Sequence, residues 1–199
     1  MTFEQFLDEF DQAEKIILLI GKREVSDLDS QSIIAMGKRL ANESKNMRFR
    51  SGNAPGADTL FCQGVSMVDG KQIEVISPYK EHRAKHAENY TKRSLDDINL
   101  VQETRLLYET KKNKKHAKQV DRYAEGKRDV NAIKASYIIR DTLLVIGGNN
   151  IPPTDAVLYY DNLLKPLEGG TGHTIKMCMA HNIPVFNQRI WKNWVDTEK

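Results

Sequence analysis

Cysteine is scarce in this chain: Cys62 and Cys178 are the only two in 199 residues. Two isolated thiols exclude a disulfide scaffold and suit a reducing compartment, where such residues fill small core positions. Long apolar runs are missing as well. The longest early run, Ile16 to Ile20, falls far short of a signal h-region or a spanning helix. Met1 to Glu14 is acidic and has no basic n-region, so the chain reads as cytoplasmic, with no membrane partner. Twelve glycines and six prolines are too few for a collagen-like or mucin-like chain. Neither sign of charge dominates: 30 Lys and Arg against 27 Asp and Glu leave +3, which neither demands nor excludes nucleic acid. What is present is a 40% hydrophobic share, enough for a core, at the length of one generous α/β domain spanning 1–199.

The small net charge hides an uneven distribution. Residues 1–30 hold eight acids and three bases, whereas 111–134 hold nine bases and three acids. A run such as Lys111-Lys112-Asn113-Lys114-Lys115 reads first as a solvated face, and only second as a nucleic-acid contact.

Apolar runs and helical periodicities alternate along the chain. Lys15 to Ile20, stopped by Gly21, predicts a buried parallel strand. Ser30 to Leu40 has helical spacing with Ser30 as N-cap. Met47 to Arg50 predicts a weak strand, Gly56 to Met67 a helix, and Ile73 to Ile76 a strand closed by Ser77-Pro78. Residues 81–127 break this rhythm as a Lys-rich helical insertion, with one helix around Leu95 to Leu106 and another over Lys114 to Tyr123. Lys127 to Ile139 predicts a helix, and Thr142-Leu143-Leu144-Val145-Ile146 a strand ending at Gly147-Gly148. A second insertion covers 149–167, followed by a helix over Gly172 to His181 and a last strand over Ile183 to Phe186. Trp191 and Trp194, three apart, are expected to pack one terminal face on the core. The alternation implies an α/β fold with a parallel sheet covered on both faces.

In such a sheet, ligands sit at the carboxyl ends of the strands. Most of the glycines follow predicted strands or precede a helix. They stand in Gly21-Lys22-Arg23, in Ser51-Gly52-Asn53-Ala54-Pro55-Gly56-Ala57-Asp58-Thr59, in Gly147-Gly148-Asn149-Asn150, and in Glu168-Gly169-Gly170-Thr171-Gly172-His173-Thr174. Glycine lets a ligand approach the backbone, and the following helix offers free N–H groups to an anion. Ser51, Thr59, Thr171 and Thr174 add hydroxyls, and Lys22 and Arg23 add charge. The competing explanation is that these glycines serve only tight strand–helix turns. Neither a Walker loop nor the dinucleotide fingerprint occurs. His82 and His86, four apart, would share a helix face, and Glu81 and Glu88 stand nearby, but the pattern is not that of a known metallohydrolase, so no metal is assigned. No nucleophile elbow supports Ser-His-Asp chemistry.

Gly21-Lys22-Arg23, Ser51 to Leu60 with Gly-Ala-Asp-Thr, Arg128-Asp129-Val130-Asn131, and Gly169-Gly170-Thr171-Gly172 with Ile183-Pro184-Val185 resemble the SLOG superfamily, above all its YspA-like branch. That superfamily also includes the LOG phosphoribohydrolases and DprA-type proteins. The resemblance implies a Rossmann-like three-layer fold whose two Gly-rich loops hold the phosphate or ribose of a nucleotide or nucleotide-derived signal. It brings Arg128 and Asn131 towards the same crevice. It gives Asp58 either a capping role or a ribose hydroxyl. One departure stands out. LOG hydrolases carry a catalytic Glu just after the second Gly-rich loop, where this chain has His173-Thr174-Ile175-Lys176. The catalytic residues are therefore unassigned, and no cofactor is implied.

Three functions follow. The first is binding of a nucleotide or nucleotide-derived small molecule. The second is a nucleotide-cleaving hydrolase, with His173 as one acid candidate. The third is DprA-like single-stranded nucleic-acid binding, weakened by the few aromatics (Tyr90, Tyr108, Tyr123) in the basic insertion. A homodimer is compatible with each.

Overall fold

The computed structural model describes residues 1–87, 89–148 and 150–195; Glu88, Asn149 and the last four residues lie outside the described set. A capping box between Thr2 and Gln5 starts helix α1 (Phe3–Phe10), which buries Phe3, Phe6 and Phe10. Strand β1 (Ile16–Gly21) leads to α2 (Asp27–Glu43), capped by Ser26 rather than by the predicted Ser30. Then come β2 (Arg48–Ser51), α3 (Ala57–Asp69), β3 (Ile73–Ser77) and β4 (Thr91–Ser94). The short helices α4 (Thr104–Lys111) and α5 (Ala117–Ala124) precede α6 (Val130–Ile146). The chain continues through β5 (Ala156–Tyr160), α7 (Gly169–Ala180), β6 (Val185–Asn187) and α8 (Gln188–Val195).

The six described strands form one parallel sheet in the order β4-β3-β2-β1-β5-β6. Its period of two divides β1 between the faces. Ile17 and Leu19 enter a core with α1, α2, α3 and α8, which also buries Trp191 and Trp194. Leu18 and Ile20 enter a second core with α4 to α7. The result is a three-layer, Rossmann-like α/β fold. From β1 the chain builds outward to β4, then returns to place β5 on the other flank of β1. The connections that leave the neighbouring strands β1 and β5 therefore go to opposite faces, to α2 and to α7, which opens a crevice at the carboxyl ends of the two strands.

Two sequence expectations are corrected. Thr142 to Ile146 are the last five residues of α6, not a strand. All five are buried, so helix α6 loses its amphipathic stripe there and mimics a buried strand. The true strand beside β1 is Ala156–Tyr160, within the segment read as the second insertion. The Lys-rich insertion is also less helical than expected. It contains β4, and the Leu95 to Leu106 helix divides into a 3-10 turn and α4.

Arg50 marks the junction of these elements. It is fully buried in β2, where its Nε lies 2.6 Å from Glu74 Oε2 on β3. Its Nη1 donates to the carbonyls of Leu144 (3.2 Å) and Pro152 (2.8 Å). The first is a carbonyl of the last turn of α6, which has no partner within its own helix. A charged residue thus makes β2 look weak in sequence while fixing where α6 stops.

Candidate nucleotide-binding crevice

The crevice has a volume of about 830 Å³, within the range of small-molecule sites. Its floor is the end of β1. Gly21, Lys22 and Arg23 leave the sheet there, and the Lys22 N–H donates to Tyr160 O at 3.0 Å, extending the pairing with β5.

The first Gly-rich loop packs beneath this exit instead of opening into it. Asp58 Oδ1 accepts the Gly21 N–H at 2.9 Å and Oδ2 accepts the Ala54 N–H at 3.3 Å. Asp58 therefore ties β1 to the loop, and α3 starts from Gly56 with no side-chain cap. Burial raises the Asp58 carboxyl to about 6, against the attraction of Arg140 and the two N–H donors. Gly56 has φ +88°, and a Cβ there would lie 2.3 Å from Arg23 O. Ala57 donates its N–H to Lys22 O, and Thr59 Oγ1 donates to Ala54 O. Ser51 and Asn53 are buried, with Ser51 Oγ accepting the Asn53 N–H, while Gly52 O accepts Arg140 Nη1 at 2.5 Å. Of the nine residues from Ser51 to Thr59, Ala54 and Asp58 line the crevice.

The second Gly-rich loop does face the crevice. Gly169, Gly170, Thr171 and Thr174 line it where α7 begins. A Cβ on Gly169 would meet nothing within 4 Å, and one on Gly170 would meet only Asp141 Oδ2, at 3.6 Å. The opening N–H groups of α7, with the positive end of its dipole, thus border open space. Lys22 Nζ fixes the loop from below, donating to Glu168 O at 2.7 Å and lying 3.4 Å from buried Asp161 Oδ1. Gly172 differs, because it is buried and packs backbone to backbone against Leu167.

The third wall is α6, through Tyr137, Arg140 and Asp141, none of which stands in a Gly-rich motif. Asp141 is buried, and its carboxyl is raised by that burial against the Arg140 guanidinium, whose Nε lies 3.0 Å from Asp141 Oδ1. The available signal was an Arg-Asp pair inside an apolar run, since buried charges need a reason. Arg23 is exposed at the mouth and makes no ion pair among the described residues. Those residues contain no cluster of His, Cys, Asp or Glu able to hold a metal ion.

No family model and no curated protein matches this chain. Among solved structures, its fold is similar to that of DNA processing protein A from Helicobacter pylori, in a structure that addresses the unique single-stranded DNA binding mode of that protein. The two are 16% identical, with a TM-score of 0.54 over 94% of this chain and 68% of that one. The likeness is one of fold, and it agrees with the Rossmann-like architecture implied by the motif resemblance.

The remaining selected residues lie elsewhere. Arg128 sits over the Tyr123 ring, 4.1 Å from its centroid, and Asn131 gives its N–H to the Asp129 cap of α6. Asn131 lies ten residues before Asp141 in sequence, or about 15 Å along the helix. Neither lines the crevice. His173 faces the α4–α5 segment: its Nδ1 lies 3.3 Å from Asn113 Nδ2, and its buried Nε2 has no partner. Burial, with His116 and Lys176 nearby, lowers its pKa to about 4. Gly147 caps the end of α6, where Thr154 bonds to Val145 O and Asp155 to Ile16 O. That is the starting end of β1, so Gly147 stands at the amino ends of the strands, opposite the crevice. The helix that replaced the predicted strand put it there.

Proposed function

We propose that the crevice binds a nucleotide or nucleotide-derived small molecule, with a phosphate at the start of α7. The observation that carries this reading is the open N-terminus of α7 at the switch between β1 and β5. Gly169 and Gly170 leave room for an anion there, and exposed Arg23, which makes no ion pair among the described residues, also lines the crevice. Asp141, rather than Asp58, suits a ribose hydroxyl, because both Asp58 oxygens already accept backbone N–H groups. The test is thermal unfolding with a panel of mono-, di- and cyclic nucleotides. A ligand at a hundred times its Kd adds about 2.7 kcal/mol, or roughly 5–10 °C in Tm for a domain of this size. Gly170→Val should fold normally and lose the rise. If no nucleotide at millimolar concentration stabilises the wild-type protein, the reading fails.

A second reading is single-stranded nucleic-acid binding. It draws on the fold likeness to the H. pylori protein and on exposed Lys114, Lys115 and Lys118, which have no acidic partner among the described residues. The rest of the basic segment is largely paired internally, as Lys111–Asp121, Lys112–Glu109, Arg122–Asp129 and Lys127–Glu125. This pairing ranks the second reading below the first.

A further inference from the structure

Tyr137 stands one helical turn before Asp141 on α6, so the two share a face and are about 6 Å apart along the axis. Both line the crevice. Asp141 borders Gly170 at the start of α7. Because α6 ends beside the starting end of β1, Tyr137, one turn earlier on α6, lies further out beyond the carboxyl ends of the strands. A nucleotide entering phosphate-first has the same order: phosphate on α7, ribose at Asp141, base one step further out.

The Tyr137 ring is held by its neighbours. Its hydroxyl lies 3.4 Å from Tyr79 Oη, and Tyr79 Oη lies 3.0 Å from His82 Nδ1. The His82 ring meets Tyr137 at 87° with centroids 5.4 Å apart, and Tyr79 meets it at 88° and 6.3 Å. Edge-to-face packing of this kind fixes a ring without covering it on all sides. Burial, reinforced by Arg140, Arg83 and Arg23, lowers the His82 pKa. His82 is thus neutral near pH 7, able to accept the Tyr79 hydroxyl and to support an uncharged aromatic wall. Tyr123, by contrast, is a tyrosine packed for the core and is only 3% exposed. Tyr137 is half-buried beside open space.

We propose that Tyr137 is the base platform of this crevice, oriented by Tyr79 and His82, so that the recognised ligand carries a nucleobase and not a sugar phosphate alone. This rests on the nucleotide reading above. The base stacks on the ring, and recognition depends on the aromatic face more than on the hydroxyl.

The experiment measures the Kd of the best-binding nucleotide from the panel and of ribose 5-phosphate, by calorimetry, for wild type, Tyr137→Ala and Tyr137→Phe. Stacking losses on truncation correspond to roughly ten-fold or more in affinity. Tyr137→Ala should weaken nucleotide binding by about that factor and leave ribose 5-phosphate within two-fold. Tyr137→Phe keeps the ring and should bind the nucleotide nearly as wild type does, which separates stacking from a folding defect. The assignment is overturned if Tyr137→Ala binds the nucleotide like wild type, or if it loses both ligands equally. It is also overturned if wild type binds ribose 5-phosphate as tightly as the nucleotide. Failure of the nucleotide reading looks different: wild type then binds no nucleotide at all, and both proposals fall together.

Discussion

Individual residues decide which glycine is structural and which faces a ligand, and sequence alone did not separate them. Gly56 and Gly170 both stand at the start of a helix after a Gly-containing loop. At Gly56 the positive φ and the 2.3 Å approach to Arg23 O leave no place for a Cβ. At Gly170 the same atom would lie in ordinary contact distance of a single carboxylate oxygen. We therefore expect Gly56→Ala to cost at least about 1–3 kcal/mol in urea unfolding, the usual range for backbone strain, with the steric clash added. Gly170→Ala should leave the midpoint nearly unchanged. Equal stabilities for the two variants would show that the first loop is not packed as described. Asp58 makes a related point. The Gly-Ala-Asp motif was legible, but its carboxylate serves as a clamp between β1 and the loop. The motif by itself allows only the capping of its own helix or a ribose contact.

At the scale of elements, the order of short apolar runs showed the parallel α/β design, because β1, β2, β3 and β6 each lie within or beside a predicted strand. The error fell on α6 and β5. Thr142 to Ile146 and Ala156 to Tyr160 are both five-residue apolar runs, and periodicity cannot tell a buried strand from a fully buried helix end. Arg50 resolves them in three dimensions by donating to the Leu144 carbonyl in the last turn of α6, a contact between residues far apart in the chain. The same error ends the predicted helix at Ile139, short of Arg140 and Asp141 in the α6 wall, whereas Tyr137 lies inside the predicted helix with no motif to mark it. α7 was found, but its two faces differ in use: Gly170 and Thr171 look into the crevice, whereas His173 looks towards α4 and α5. That second face carries a pH consequence. The His173 pKa falls from 6.5 to about 4 on folding, because burial disfavours its charged form. Its contribution to stability is thus complete above pH 6.5 and is lost as pH falls towards 4. Asp58 acts in the opposite sense, since its carboxyl rises from 3.8 to about 6 and its contribution is lost as pH increases through that window. We expect His173→Gln to become more stable relative to wild type by on the order of 3 kcal/mol between neutral pH and pH 4, whatever its constant offset at neutral pH. Urea titrations of both proteins across this range give the difference directly. A difference that does not vary with pH would mean that His173 is not held neutral by its packing.

For the whole molecule, the charge distribution separates the small-ligand reading from the strand-binding one. A near-neutral total conceals an acidic first thirty residues and a basic middle. Internal ion pairs then take up four of the nine bases in the basic middle. Lys114 and Lys115 between α4 and α5 and Lys118 on α5 form an exposed group with no acidic partner among the described residues, with Lys134 apart from them on α6. Aromatic support for bases is thin there. Tyr108 is exposed, but Lys112 stands over its ring, 5.2 Å from the centroid. A nucleotide held in the crevice should not sense these three lysines, whereas a single strand running across them should release counterions at each. For single strands, every neutralised phosphate contributes about −0.7 to the slope of log K against log salt, so three contribute about −2. We expect the triple variant Lys114→Ala, Lys115→Ala, Lys118→Ala to keep the nucleotide-induced rise in Tm in full. Any oligonucleotide retention at low salt should weaken in this variant, and its salt slope should flatten by about two. The ranking of the two readings would reverse on one pattern of results. That pattern is an oligonucleotide bound with a steep slope through these lysines, together with no stabilisation of the wild-type protein by any single nucleotide.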